Sequence, residues 1–219
     1  MTTEPIPTPS DQATAAAEHP TPKAERQNMV QPVLEKLFEL YPHLFGAEFL
    51  PLKLGTFQDL LTSHPDQFQR ASLKAALGVH ARSTKYLQSV AAGKQRHDLL
   101  GNPAGPVAPE HVYLAIVELY RRRQARTKED LRPKLHRQVL AAYEASGLSR
   151  EDYTVCIQTA ASEALPFLEE AFAQLDQAVA KQEALRRAFE ASGQSVEAFA
   201  DMYGLALRQV QAAIEHKRS

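Results

Sequence analysis

Residues 73–107 read LKAALGVHARSTKYLQSVAAGKQRHDLLGNPAGPV, and this stretch decides the fold. Its first part places Leu73, Ala76 and Leu77 at the spacing i, i+3, i+4, which indicates one apolar face of a helix. Both of its prolines and most of its glycines fall in its second part, where they mark turns. The stretch therefore predicts helices that lead into a short, tightly turned segment.

A second helix is predicted over residues 84–90. Ser83 precedes it as an N-cap, because a serine hydroxyl can accept one of the backbone N–H groups that lack a partner at a helix start. Gly93 ends this helix. The following residues, 96–107, have the turn chemistry of a tight β-hairpin.

Basic residues and one tyrosine are distributed along the same stretch. A helix N-terminus flanked by cations and an aromatic ring is suited to bind a phosphate group, which indicates a ligand similar to RNA. His80 lies beside the basic residues, and the sequence leaves open whether it contacts RNA or caps a helix end. The other candidate residues of the stretch are Lys74, Arg82, Ser83, Thr84, Lys85, Tyr86, Lys94 and Arg96.

The charge of the chain is unevenly distributed. The whole chain of 219 residues has a formal net charge of -1. Residues 53–137, however, hold 15 Lys and Arg against 7 Asp and Glu, so the rest of the chain is acidic. This asymmetry favours a polyanion-binding segment with acidic flanks. The alternative is that the charges only keep the surface solvated.

The chemistry of an enzyme is not apparent in the sequence. The histidines do not have metal-ligand spacing, and the chain lacks the glycine-rich phosphate loop of nucleotide hydrolases. Cys156 is the one cysteine, so an internal disulfide is excluded, and it is predicted to be a small buried hydrophobic residue. We therefore expect a cytoplasmic protein that is not an enzyme and needs no cofactor or metal, with no membrane segment and no secretory signal.

The chain divides into three predicted parts. Residues 1–27 are rich in Thr, Pro, Ala and Glu and are predicted to be a disordered tail. Residues 28–126 form the predicted RNA-binding domain, which begins with an amphipathic helix that Pro42 ends. Residues 127–219 are predicted to be an α-helical C-terminal extension.

Two features leave alternatives open. A helix that starts at Pro109 ends in Arg121, Arg122 and Arg123, which either complement the helix macrodipole or make a secondary contact with an RNA backbone. Residues 195–218 have the spacing of a helix-turn-helix. This helix pair serves either for packing and partner contact or, in the alternative function, as the DNA-reading part of a regulator.

Four blocks of residues closely resemble the ProQ/FinO family, whose members are bacterial RNA-binding proteins and RNA chaperones. The resemblance covers about residues 28–125, in the family's order and spacing. The blocks are residues 51–60 (PLKLGTFQDL), 73–77 (LKAAL), 85–87 (KYL) and 96–105 (RHDLLGNPAG).

The resemblance implies a mainly α fold, with a compact ProQ/FinO-type helical domain that carries one β-hairpin and precedes the helical extension. By the family's pattern, Tyr86 and Arg96 line a pocket for the 3′-terminal nucleotides, and Ser83, Thr84 and Lys85 present a helix N-terminus to the 3′ backbone. Phosphate contacts on a concave face are implied for Lys53, Arg70, Lys74 and Lys85.

The resemblance also implies partners and a function. The implied ligands are small regulatory RNAs and mRNA 3′ ends, bound at the base of a terminator hairpin and its 3′ tail. We therefore expect an RNA chaperone in post-transcriptional regulation. The C-terminal helices are candidates for binding a protein partner or for self-association.

Overall fold

The computed structural model describes the backbone of residues 22–215 and the side chains of residues 29–215. This part of the chain contains eleven α-helices and one 3-10 turn, and no strand is present in it. The helices are α1 (Pro22–Leu40), α2 (Pro42–Phe45), α3 (Thr56–Ser63), α4 (Arg70–Ala81), α5 (Thr84–Ala91), α6 (Pro109–Gln124), α7 (Arg132–Ser146), α8 (Arg150–Ala161), α9 (Leu165–Ser192), α10 (Val196–Tyr203) and α11 (Leu207–Glu215), and the 3-10 turn is Ser162–Ala164.

Helix ends follow the local signals in the sequence. Ser83 caps α5, since its Oγ accepts a hydrogen bond from the Tyr86 N–H at 3.2 Å. Ser149 caps α8 in the same way, and Pro109 stands in the first turn of α6. Gly147 ends α7 with a φ of 66°, a left-handed conformation that glycine adopts without steric cost.

The N-terminal core is formed by α1 to α6. α1 packs against α4, and α5 packs against α6. Leu37, Leu60 and Leu73 are fully buried in this core. The apolar face predicted from Leu73 and Ala76 is therefore confirmed, and it positions α4 and α5 beside the segment that follows them.

Helix α6 belongs to two cores. Its residue Ala115 packs in the N-terminal core, whereas Tyr113 and Val117 pack against α7, α8 and α9 in a second core. The predicted boundary at residue 126 falls in the connection between α6 and α7. Because α6 contributes to both cores, the extension is attached to the N-terminal domain by a shared helix.

The distal end of α9 carries a third, smaller core. Phe199 and Val210, from α10 and α11, are buried there against Leu185 and Phe189 of α9. The helix pair predicted at residues 195–218 is therefore present up to Glu215, where the described residues end. Its buried face packs against α9.

The predicted β-hairpin at residues 96–107 is wrong, because this segment forms isolated backbone bridges instead of two strands. The Arg96 N–H donates to the Gly105 carbonyl at 2.8 Å, and the Ala104 N–H donates to the Arg96 carbonyl at 2.7 Å. The Asp98 N–H also donates to the Asn102 carbonyl at 3.0 Å, and the antiparallel pairing within the segment amounts to a single bridge between His97 and Pro103.

Proline chemistry and a competing partner prevent a longer ladder. Pro103 and Pro106 have no N–H to donate. His97 also turns to a different segment, where it forms a parallel bridge with Leu52, and its N–H donates to the Pro51 carbonyl at 2.7 Å. Residues 96–105 are therefore a tight turn that is fastened to the preceding chain.

The predicted disordered tail covers residues 1–27, of which residues 1–21 lie outside the described residues. The remaining part is helical, since α1 begins at Pro22. Between residues 22 and 215, no helix combines the length and the apolar composition that crossing a membrane requires.

Candidate nucleic-acid interface

The N-terminus of α5 is held against the end of α6. Arg122 donates from Nη1 to the Arg82 carbonyl at 2.8 Å, and the same nitrogen lies 3.5 Å from Oγ1 of Thr84. Lys85, the next residue of α5, places its ammonium 5.6 Å from the centre of the Phe49 ring. The predicted residues 82–85 therefore form one exposed or half-buried surface with the basic end of α6.

A pocket of about 540 Å³ lies beside α5. It is bounded by α5, by α6 and by the tight turn at residues 96–105, with one further wall from the C-terminal extension. Its lining includes Leu54, Tyr86, Arg96, His111, Arg121 and Glu163. Two of the predicted site residues, Tyr86 and Arg96, are thus brought together.

Arg96 is held in a defined orientation at this pocket. Its Nη1 donates to the Leu52 carbonyl at 2.9 Å, and its Nη2 lies 3.3 Å from Nδ1 of His111. Because backbone and ring contacts fix the guanidinium, a ligand that binds to it meets a preorganised cation.

Tyr86 contributes its ring to the pocket but is almost buried. Its exposed fraction is 9%, and its hydroxyl accepts a hydrogen bond from the Leu52 N–H at 3.1 Å. Tyr86 and Arg96 therefore bind the N–H and the carbonyl of the same residue. This shared contact couples α5 to the turn at residues 96–105.

The other predicted cations lie outside the pocket. Lys53 is paired with Asp59 at 2.9 Å, and Lys94 is paired with Glu48 at 3.2 Å. Arg70 lies over the Phe57 ring, with its guanidinium carbon 5.3 Å from the ring centre. These side chains, together with the exposed Lys74, are distributed over the surfaces of α3, α4 and the neighbouring loops.

The structure places His80, for which the sequence leaves an RNA contact or a helix cap open, inside the N-terminal core. His80 is 4% exposed, and its ring packs against Phe45, Phe49 and Tyr86 at centroid distances of 4.6, 4.5 and 5.0 Å. Burial lowers the pKa of His80 to about 4, so the ring is neutral at physiological pH. It supports the ring of Tyr86 from inside the core.

Arg121 and His111 also line the pocket. The sequence offers Arg121 only as one alternative, a secondary contact with an RNA backbone, and it does not single out His111. The signal for Arg121 was present in the sequence, because Leu114, Glu118 and Arg121 follow the spacing i, i+4, i+7 and share one face of α6. For His111 the signal was its position in the first turn of α6. The sequence does not show which of the two cores this face of α6 contacts, because tertiary packing decides it.

The arginine run at the end of α6 has identifiable contacts. Arg121 lies over the Phe167 ring at 5.6 Å, and Arg122 is paired with Glu118 at 2.8 Å. These contacts give both side chains a structural role beyond the macrodipole interaction.

Comparison with known proteins identifies the domain that carries this interface. Residues 27–132 match the ProQ/FINO family model. The RNA chaperone ProQ of Shewanella oneidensis is 42% identical over 84 residues, which are 36% of this chain and 39% of that protein. This chain therefore matches about two fifths of the length of that relative.

A solved structure of a FinO-like RNA chaperone from Neisseria meningitidis is 30% identical, and the match covers 41% of this chain and 92% of that one, with a TM-score of 0.37. The family match at residues 27–132 contains α5, α6 and the turn at residues 96–105. This chain therefore carries a ProQ/FinO-family domain at residues 27–132.

Proposed function

We propose that this protein is an RNA chaperone that binds structured RNAs through a single-stranded 3′ end. The observation that carries the proposal is the pocket that contains Tyr86 and Arg96, because all of its lining residues except Glu163 lie within the ProQ/FinO-family domain. The RNA hairpin lies against the domain surface and its 3′ tail enters the pocket. Binding, without catalysis, is the activity.

The size and lining of the pocket suit a terminal nucleotide. Its volume of about 540 Å³ falls within the range of roughly 300–1,000 Å³ for small-molecule sites. The Tyr86 ring offers an apolar edge, and the fixed guanidinium of Arg96 offers donors to a phosphate. Proteins recognise RNA mainly at unstacked bases and single-stranded ends, because the major groove of A-form RNA is too narrow for side chains.

The surrounding cations bind the backbone of the RNA. Lys85 and Thr84 lie at the capped N-terminus of α5, next to Arg82. Cations that neutralise phosphates supply affinity and make it depend on salt. The residues assigned to backbone contacts are Lys53, Arg70, Lys74, Arg82, Ser83, Thr84, Lys85 and Lys94.

Small regulatory RNAs and mRNA 3′ ends are the RNA class that we propose as ligands. The curated relative is named as an RNA chaperone, which supports an activity in pairing or protecting transcripts. The C-terminal helices are a candidate surface for a protein partner or for self-association. DNA binding by residues 195–218 has no support in the comparisons, because the family match ends at residue 132.

The test is a gel-shift titration of the full chain at fixed, near-physiological salt. The probe is an RNA hairpin with a single-stranded 3′ uridine tail, and the competitors are the same hairpin without its tail and duplex DNA of equal length. We expect the tailed hairpin to bind at least tenfold more tightly than either competitor. Equal binding of all three would contradict the proposal.

A pair of charge-removing variants locates the site. Arg96→Gln removes one of the two arginines of the pocket and is expected to reduce the preference for the tailed hairpin. Lys181→Gln removes a cation from the exposed middle of α9 and is expected to leave that preference unchanged. Identical losses in the two variants would mean that general charge, and not the pocket, binds the RNA.

A further inference from the structure

The end of α6 and the start of α7 form the most basic segment of the chain. Residues 121–137 contain 8 Lys and Arg against two carboxylates, Glu129 and Asp130. Residues 138–219, by contrast, contain 7 Lys and Arg against 12 Asp and Glu. The net positive charge of this half of the chain is therefore concentrated where the extension joins the domain.

Three of these eight cations have partners within the protein. Arg121 and Arg122 make the contacts described above, and a hydrogen bond to Tyr120 raises the pKa of Arg132. The other five side chains are exposed, and none of them forms an ion pair with a residue between positions 29 and 215. These five, which we call the α6–α7 corner, are Arg123, Arg126, Lys128, Lys134 and Arg137.

The packing of the two helices brings cations of the α6–α7 corner together. Arg123 from the last turn of α6 and Lys134 from the first turn of α7 line the same small crevice. Arg123 also directly follows Arg122, whose guanidinium donates to the Arg82 carbonyl at the N-terminus of α5. The α6–α7 corner therefore begins beside the RNA interface proposed above.

Helix stability does not explain the whole α6–α7 corner. The macrodipole favours cations at the C-terminal end of α6, but it disfavours Lys134 in the first turn of α7. That turn contains no acidic residue to compensate. A cation placed against the helix dipole, within a cluster of like charges, points to an anionic ligand.

The surface of the α6–α7 corner suits a nucleic-acid backbone better than a protein partner. Among residues 101–147, no large hydrophobic side chain is exposed, whereas protein–protein interfaces have an apolar core. A nucleic-acid double helix, in contrast, presents closely spaced phosphates, with one charge per about 1.7 Å of axis in DNA. Lysine and arginine side chains that neutralise such phosphates need no apolar anchor.

We propose that the α6–α7 corner is an accessory site for the phosphate backbone of double-stranded RNA, in the stem of the hairpin whose 3′ tail occupies the pocket. This inference rests on the function proposed above. It extends the RNA interface onto the extension, since Lys134 and Arg137 belong to α7 and lie beyond the end of the family match at residue 132.

The experiment measures RNA binding by the full chain with fluorescence anisotropy over a series of salt concentrations. One probe is a tailed hairpin with a stem of about 16 base pairs, the length that a double-stranded RNA-binding domain spans. The other probe is the single-stranded tail alone. The test variant carries Lys134→Gln and Arg137→Gln, both at exposed positions of α7, so it is expected to melt at the wild-type temperature.

The double variant is expected to bind the hairpin roughly tenfold more weakly near physiological salt. The slope of log affinity against log salt concentration is expected to become shallower by about two, because each lost phosphate contact removes about one. Binding of the tail alone is expected to stay at the wild-type value. The matched control carries Lys181→Gln and Arg208→Gln, which remove two exposed cations from α9 and α11, and it is expected to behave as wild type.

Four results would overturn the accessory site. They are wild-type hairpin binding by the test variant, equal losses in the test and control variants, an equal loss for the tail alone, and reduced binding of a poly-glutamate peptide with unchanged RNA binding. The last result would assign the α6–α7 corner to an acidic protein. The preference for a tailed over a tailless hairpin tests the pocket separately, and it is expected to persist in the test variant.

Discussion

At the scale of single residues, His80 and Tyr86 are notable because both are almost completely buried although each side chain carries a polar group. They pack face to edge at 5.0 Å in the N-terminal core. Nε2 of His80 has no hydrogen-bond partner among the described residues, and the hydroxyl of Tyr86 accepts the Leu52 N–H. The pocket thus rests on an aromatic cluster that contains one titratable ring.

His80 makes stability depend on pH in the acid range. Its pKa is about 4 in the folded protein and about 6.5 in an unfolded chain, so the unfolded state binds the proton first and stability falls as the pH falls through this window. We expect His80 to account for a loss of about 2 kcal/mol in unfolding free energy between pH 7 and pH 4.5. Urea denaturation at both pH values measures it.

The variant His80→Phe serves as the reference for this measurement, because a phenyl ring fits among Phe45, Phe49 and Tyr86 and does not titrate. Carboxylates that titrate over the same range affect wild type and variant alike. A variant that loses as much stability as the wild type between the two pH values would show that His80 is not responsible.

Tyr86→Phe keeps the pocket ring and removes the acceptor of the Leu52 N–H. Leaving a buried donor without a partner costs about 1–3 kcal/mol, so we expect a lower urea midpoint with an unchanged slope. RNA affinity at a temperature where the variant stays folded is expected to fall only modestly. Tyr86→Ala is less informative, since emptying a buried aromatic site costs about 3–5 kcal/mol. Wild-type stability in Tyr86→Phe would contradict the role assigned to the hydroxyl.

At the scale of elements, the turn at residues 96–105 depends on two local features, which are the hydrogen bonds of the Asp98 side chain and the backbone conformation of Gly101. The carboxylate of Asp98 accepts hydrogen bonds from the backbone N–H groups of Leu100 and Asn102, at 2.9 and 2.8 Å. The bond from the Asn102 N–H holds the pKa of the Asp98 carboxyl below its usual value. Gly101 then adopts a φ of 84°, so the turn needs a residue without a Cβ.

A comparison of two glycines tests how tightly this turn is packed. An added Cβ at Gly101 would lie 3.0 Å from Cδ2 of His43, whereas at Gly105, with a φ of 102°, it would meet no atom within 4 Å. Each alanine substitution places a Cβ on a left-handed backbone, which costs about 1–2 kcal/mol of stability. We expect Gly101→Ala to lower the melting temperature more than Gly105→Ala, and equal shifts would contradict the contact with His43.

At the scale of the whole molecule, helix α6 joins the domain to the extension. The hydrogen bond from Tyr113 to Ala164 crosses between them inside the second core. Cys156 of α8 makes a second link, since its thiol donates to a carboxylate oxygen of Glu110 at 3.1 Å. It is half-buried instead of fully buried as predicted, and burial raises the pKa of the thiol. These contacts fix the extension against the pocket.

Two buried tyrosines provide a matched test of this junction. Tyr113→Phe removes the donor to the Ala164 carbonyl and is expected to lower the unfolding free energy by about 1 kcal/mol. Tyr153→Phe removes a hydroxyl that is also buried but has no partner among the described residues, and it is expected to be neutral or stabilising. Equal effects of the two substitutions, measured by thermal unfolding, would show that the hydrogen bond does not stabilise the junction.

The sequence by itself determined the helices and the family. Capping serines, prolines at helix starts and glycines at helix ends act through contacts within a few residues, so Ser83 and Pro109 predicted their helices correctly. The four motif blocks predicted the ProQ/FinO family domain, which the comparisons confirm. The pairing of Tyr86 with Arg96 at one pocket followed from the same resemblance.

Tertiary structure alone decided what these residues meet. His80 is buried because three aromatic rings from other segments close over it, and no local pattern encodes that. The segment predicted as a hairpin is instead a turn bound to the preceding chain, because His97 pairs with Leu52, which lies 45 positions earlier in the chain. Glu163 reaches the pocket only through the packing of α8 and α9 on α6. Local chemistry fixes helix ends, whereas burial and pocket walls depend on contacts between distant segments.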